Sequence, residues 1–187
     1  MLEVEQLSIS ELGLSEDIIT ENAGRGIAEA ALTQAADASY STSILLLVGN
    51  HKTGARAIAA ARHLRNHNIR ATVCILGSER EHEFLDGFRR QLEMYRKVGG
   101  RVLRWDDLSS KLTSSGWTMD LVIDALFGMH LSFEDMRTED STTAFEMISW
   151  VNRSEANVLS IDVPSGLVAT SGTLFSPPPP PLTIPLC

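Results

Sequence analysis

The sequence predicts a three-layer αβα domain built on a mostly parallel sheet, and three observations carry that expectation. Short apolar runs recur along the chain, Ile44–Val48, Ala71–Leu76, Leu121–Leu126 and Val158–Val163 among them, as strands buried on both faces produce. Segments with helical spacing of their apolar residues alternate with these runs, as in βαβ units. A glycine-bearing turn, Gly49-Asn50-His51-Lys52-Thr53-Gly54, joins the first run to the helical segment behind it. Together they describe a Rossmann-like fold, whose ligands bind beyond the carboxyl ends of the strands.

In chain order, Ser15 before Glu16 and Asp17 reads as a helix N-cap with acids matched to the helix dipole. Ile18, Ile19, Ala23, Ile27, Ala30 and Ala31 carry that helix to about Ala36. The polar stretch Ala38–Ser43 ends it, and Ile44–Val48 is the first strand. An Ala-rich helix is expected over Ala55–His67, with Ile58 and Leu64 on one face. There follow strand Ala71–Leu76, helix Glu81–Val98, strands Val102–Trp105 and Leu121–Leu126, helix Thr143–Asn152 and strand Val158–Val163. Five successive prolines, Pro177–Pro181, suit neither helix nor sheet. The domain is therefore expected over 1–172, and residues 173–187 as a Pro-rich disordered tail of polyproline II character, a flexible end or a ligand for a proline-binding module.

A chain of 187 residues fits one domain, and 43% hydrophobic with 21% charged residues is ordinary globular usage. No run is long and apolar enough for a membrane span, and the N-terminus lacks the charge-then-apolar order of a secretory signal, so a cytoplasmic protein is expected. Cys74 and Cys187 are too few for a disulfide framework and read as free thiols. The net charge of −8 argues against nucleic-acid binding through overall charge. Yet His51–Ser78 holds Lys52, Arg56, Arg62, Arg65 and Arg70 with no acidic residue. That basic island is either a solvated helix face or a phosphate-binding patch.

Three loops follow strands and carry the candidate chemistry: Gly49–Gly54, Asp124–Gly128 and Ile161–Gly166. Asp124 and Asp162 end apolar strands at the same sheet edge, and Pro164 with Gly166 would turn the Ser165 hydroxyl toward them. Such a cluster suits a cation, a polyol or general-base chemistry, and equally the capping of turns. The first turn has two glycines and matches neither GxGxxG nor a Walker motif.

Glu21-Asn-Ala-Gly-Arg-Gly-Ile-Ala28, Ala60-Ala-Arg-His-Leu64, Asp124-Ala-Leu-Phe-Gly128 and Ile161-Asp-Val-Pro-Ser-Gly-Leu167 together resemble the YjeF N-terminal domain family over Glu3–Gly172. The resemblance implies one of two branches, NAD(P)H-hydrate epimerases or the C-terminal domain of the enhancer of mRNA decapping. Under the epimerase reading, an isomerase, Asp162 is the catalytic residue; Thr53, Gly54, Gly128 and Ser165 line the substrate pocket; and Asp124 with Ser165 hold potassium. The epimerase loop Gly-Asn-Asn-Gly-Gly-Asp-Gly aligns on His51–Ala57 with only Gly54 kept, Thr53 at the place of an asparagine that completes the cation site and Arg56 at the place of an acid. Met129 and His130 bring bulk where that branch keeps a second glycine.

The resemblance therefore implies a degenerate pocket and a pseudoenzyme with no cofactor. The expected function is that of a homodimerising scaffold in cytoplasmic mRNA decay and P-bodies, with decay factors and RNA as partners. Lys52, Arg56, Arg62, Arg65 and Arg70 are its RNA contact candidates, and Ile18, Ile19 and Ile27 its dimer candidates. The family continues past Gly172, so the sheet is expected to be truncated at its C-terminal end.

Overall fold

The computed structural model describes residues 2–34, 42–114, 117–128, 133, 136–167 and 172. Two helices open the chain, α1 (Leu2–Leu12) and α2 (Glu16–Gln34). They are followed by β1 (Ser43–Val48), α3 (Lys52–Asn66), β2 (Arg70–Ile75), a 3₁₀ turn over Ser78–Glu83, α4 (Asp86–Lys97) and β3 (Arg101–Leu103). The second half adds α5 (Trp105–Ser114), β4 (Leu121–Ala125), α6 (Thr138–Arg153) and β5 (Asn157–Ser160). The five strands form one parallel sheet in the order β3-β2-β1-β4-β5.

Alternation along β1 explains why the sheet is covered on both faces, because successive side chains of a strand point to opposite sides. Ile44, Leu46 and Val48 join Val73, Ile75, Leu121 and Ile123 under α2, α3 and α4. Leu45 and Leu47 join Cys74, Val122 and Leu126 against Trp105, Leu108, Ala144 and Met147 of α5 and α6. β1 is buried throughout, whereas β5 lies at a sheet edge with Val158 44% exposed. Cys74 is a free, buried thiol, its pKa pushed up to about 12 by burial.

Several boundaries depart from the sequence reading. Ser15 caps α2 as expected, its Oγ accepting from the Ile18 N–H at 3.3 Å. α1 was not expected, nor was α5, whose short polar turns carry little apolar periodicity. The helix expected over Glu81–Val98 divides, because Phe84 is extended and Leu85 is also non-helical between the 3₁₀ turn and α4. The strand expected to reach Trp105 stops at Leu103, and Trp105 opens α5. α3 begins at Lys52 rather than Ala55, because His51 supplies a cap. The last strand ends at Ser160, and α6 begins five residues before the expected Thr143. The expected end of α2 at Ala36, the bulky pair Met129 and His130, and the Pro-rich tail 173–187 fall outside the described residues.

The two glycines of the Glu21–Ala28 segment have different roles. A Cβ on Gly24 would lie 2.5 Å from Ala59 Cβ and 3.0 Å from the Ala60 nitrogen, so Gly24 sets how closely α2 approaches α3. A Cβ on Gly26 would meet nothing within 4 Å. Gly24→Ala is accordingly expected to destabilise the fold by roughly 1–3 kcal/mol through overpacking. Gly26→Ala should raise stability by about 0.5–1 kcal/mol through helix propensity. Urea denaturation of the two variants measures both.

Candidate functional site

The strand order reverses between β1 and β4, and in doubly wound sheets that reversal opens the crevice where ligands bind. At this place the turn after β1 meets the turn after β4. The Gly49 N–H donates to the Ala125 carbonyl at 2.9 Å, and a Cβ on Gly49 would collide with the Leu126 carbonyl. The same close approach recurs at Gly54, where a Cβ would collide with the Gly49 carbonyl.

Asp124 is the anchor of the adjoining β4–β5 edge. It is 8% exposed and collects donors from three segments. Its Oδ1 accepts from the Ser165 hydroxyl at 2.6 Å and the Leu126 N–H at 3.3 Å. Its Oδ2 accepts from the Ser165 N–H at 2.7 Å and the Ser160 hydroxyl at 3.3 Å. The Ser165 oxygen in turn accepts from the Phe127 N–H at 3.2 Å. The turn that presents Ser165 is closed by the Leu167 N–H donating to the Pro164 carbonyl at 3.1 Å, with Gly166 at φ +98°.

Asp162 stands beside this network with φ +66°, in the left-handed region that few non-glycine residues adopt. Its Oδ2 accepts from the Thr53 hydroxyl at 2.7 Å, linking the turn after β5 to the first turn of α3.

Between these elements sits His51, the N-cap of α3. Its Nδ1 accepts from the Gly54 N–H at 3.3 Å, and its Nε2 lies 3.0 Å from the Leu126 carbonyl. A backbone N–H can only donate and a carbonyl can only accept, so the ring is neutral with its proton on Nε2. Burial holds its pKa below the ordinary histidine value, outweighing the raising influence of the Leu126 hydrogen bond and of Asp162 and Asp124. A Cβ on Gly128 would lie 3.2 Å from Thr53 Oγ1 and 3.5 Å from His51 Nδ1, so the ring reaches across to the β4 turn.

The fold thus brings Thr53, Gly54, Asp124, Gly128, Asp162 and Ser165 to one edge. It directs the basic island elsewhere. Lys52 pairs with Glu16 at 2.9 Å and Glu5 at 3.3 Å, and Arg56 pairs with Glu5. Arg62 pairs with Glu21, and Arg65 donates to the Val98 carbonyl at 3.2 Å. Arg70, at the start of β2, is exposed. Burial raises the Glu5 pKa, but Arg56 and Lys52 outweigh it and hold the carboxyl below its ordinary value. Of the dimer candidates, Ile18 is 47% exposed, while Ile27 packs against the core of its own domain.

The expected potassium ligands are engaged within the protein. The Asp124 carboxylate accepts from four protein donors, and the Ser165 hydroxyl both donates and accepts, so a cation there competes with these bonds. Among the described residues no group of three or more His, Cys, Asp or Glu is placed to hold a metal ion.

Sequence reasoning missed the position of His51 because it began α3 at Ala55. A histidine three residues before Gly54, between strand and helix, was the available signal. Ser160, which has no distinguishing motif, was also missed.

A three-layer parallel sheet with a crevice at its strand-order reversal, bordered by a capped helix N-terminus and two strand-end carboxylates, defines a Rossmann-like ligand-crevice domain. The chain belongs to the family described as YjeF-related protein N-terminus, whose model matches residues 16–178. It is 33% identical over 172 residues to an NAD(P)H-hydrate epimerase of Dehalogenimonas lykanthroporepellens, a match covering 92% of this chain and 64% of that protein. It is 28% identical over 165 residues to the enhancer of mRNA-decapping protein 3 of Schizosaccharomyces pombe, covering 81% of this chain and 32% of that one. The crystal structure of the yeast protein YNL200c superposes with a TM-score of 0.75 at 20% identity, covering 92% of this chain and 71% of that one, and so shares the fold. The chain thus spans somewhat under two thirds of the epimerase and about a third of the decapping enhancer. No helix among the described residues is long and apolar enough to cross a membrane.

Asp124→Ala removes the acceptor for four donors and is expected to destabilise the fold by roughly 2–4 kcal/mol. Ser165→Ala, which deletes one member of the network, should cost about 1 kcal/mol. Chemical denaturation of the two variants measures the difference.

Proposed function

We propose that the chain is the non-catalytic YjeF-type domain of an mRNA-decapping enhancer. It acts as a homodimerising scaffold in cytoplasmic mRNA decay, in P-bodies, with decay factors and RNA as its partners. The observation that carries this reading is the first turn of α3. Where the epimerase branch has an acid, this chain has Arg56, and its guanidinium turns away from the crevice to pair with Glu5 of α1. Thr53, at the place of the asparagine, engages Asp162 itself. The similarity to the fission-yeast decapping enhancer supports the same branch.

Val4, Leu7, Leu12, Leu14 and Ile18 are exposed on and between the first two helices, which supports a role for this region in self-association. RNA contact through Lys52, Arg56 or Arg62 has to compete with Glu5, Glu16 and Glu21 for the same cations. Such binding should be weak and fall steeply with salt.

A second reading, an active NAD(P)H-hydrate epimerase, is favoured by Asp162, Asp124 and Ser165 all standing at one edge and by the greater number of epimerase relatives. Under it, Asp162 supplies the general base, and Thr53, Gly54, Gly128 and Ser165 border the substrate. Potassium on Asp124 and Ser165 would require the present hydrogen bonds of those residues to rearrange.

Epimerisation of hydrated NADH by the purified chain, with Asp162→Ala as control, separates the two. No turnover by a folded chain is expected. Turnover that the Asp162→Ala variant abolishes overturns the non-catalytic reading.

A further inference from the structure

A furrow of about 500 Å³ runs between α2 and α4, which both pack on α3. Ile18 and Asn22 of α2 line it with Gln91 and Met94 of α4, and none of Thr53, Gly54, Asp124, Gly128, Asp162 or Ser165 does. Its volume falls in the range of ligand clefts. Ile18 and Met94 are 47% and 39% exposed, two apolar side chains left in water. Gln91 is the opposite case, a carboxamide only 2% exposed whose Oε1 has no hydrogen-bond partner among the described residues. A buried acceptor without a donor is costly to keep. The furrow thus combines an apolar wall with an oxygen that lacks its donor.

We infer that this furrow is a docking site for a tryptophan set among basic residues on another protein. An indole has an apolar body for Ile18 and Met94 and a single N–H, a donor only, for Gln91 Oε1. The mouth is acidic on balance, with Asp17, Glu21 and Glu93 against Arg90 and Lys97, on a chain of net charge −8. Arg90 is itself held by Asp17 at 3.0 Å. These carboxylates favour lysine or arginine beside the indole, and they disfavour both the lone pairs of a tyrosine hydroxyl and the carboxylate of a free amino acid. Met94 stands three positions after Gln91 and so beside it on the helix face, and it is the flexible side chain that gives way as the N–H reaches the amide. A second copy of the chain has no indole to offer. Trp105 is buried with its N–H on Glu146, Trp150 packs edge-on against it, and Trp117 lies under Arg101.

The inference holds whether or not Asp162 catalyses, and its test uses the full chain. The ¹H–¹⁵N spectrum is followed as acetyl-Lys-Trp-Lys amide is added. A parallel titration uses the same peptide with benzothienylalanine, which keeps the shape of tryptophan and lacks the N–H, and a third uses free tryptophan. Wild type, Gln91→Leu and Met94→Lys are compared, the last changing an exposed position outside the core.

The tryptophan peptide is expected to shift the signals of Ile18, Asn22, Gln91 and Met94 first. It should bind wild type about fivefold or more tightly than the benzothienyl peptide. Gln91→Leu should abolish that preference, and Met94→Lys should weaken both peptides by roughly tenfold. Equal affinity of the two peptides for wild type, shifts that map away from the furrow, or no binding at millimolar peptide overturns the docking site. Free tryptophan binding as tightly as the peptide also overturns it, since the furrow is then a small-molecule site. Where Gln91→Leu does not fold, the comparison of the two peptides on wild type decides alone.

Discussion

The carboxyl edge of the sheet depends on the buried carboxylate of Asp124. A carboxylate at 8% exposure is tolerable only when its charge is met by hydrogen bonds. Asp124 obtains them from Leu126 in its own turn, from Ser160 on the neighbouring strand and from the hydroxyl and N–H of Ser165 in the turn beyond. Those bonds fix where the β5 turn lies, hence where Asp162 stands and which oxygen it offers Thr53. The left-handed backbone of Asp162 is held between these contacts, as strained residues at sites are.

The other half of the crevice is organised by backbone proximity. Gly49 and Gly54 have carbonyls where side chains would otherwise stand, so the turn after β1 is drawn tight against the turn after β4. A histidine caps α3 in that compact arrangement and links the start of α3 to the turn after β4 through its second nitrogen. Arg56, one turn further along α3, turns outward to Glu5, which also receives Lys52. Arg56 thus serves the attachment of α1 rather than the crevice.

Much of the fold was legible because parallel strands buried on both faces write themselves as unbroken apolar runs, and β1 is the clearest case. Ser15 announced α2 by its capping chemistry. Legibility failed where local pattern is weak: α1 leaves Val4, Leu7 and Leu12 exposed, and α5 carries a polar sequence around only two buried anchors, Trp105 and Leu108. The site was legible as a set of strand-end residues, since Asp124, Asp162 and Ser165 follow apolar runs at the same edge. The roles within it were not. That Asp124 collects four protein donors, that Lys52, Arg56 and Arg62 are met by Glu5, Glu16 and Glu21, and that the His51 ring reaches the Leu126 carbonyl are long-range facts. Pairs separated by 41 positions, such as Ser165 with Asp124 or Arg62 with Glu21, leave no signature in spacing.

The central claim is that His51 joins the turns after β1 and β4 as a neutral ring fixed at both nitrogens. Two-bond ¹H–¹⁵N correlation of the histidine side chains, followed as the pH is lowered, tests it directly. The account predicts that the His51 ring carries its proton on Nε2 and remains neutral below the ordinary value of 6.5. A His51 ring protonated on Nδ1 instead, or one that titrates at the ordinary value, would contradict it.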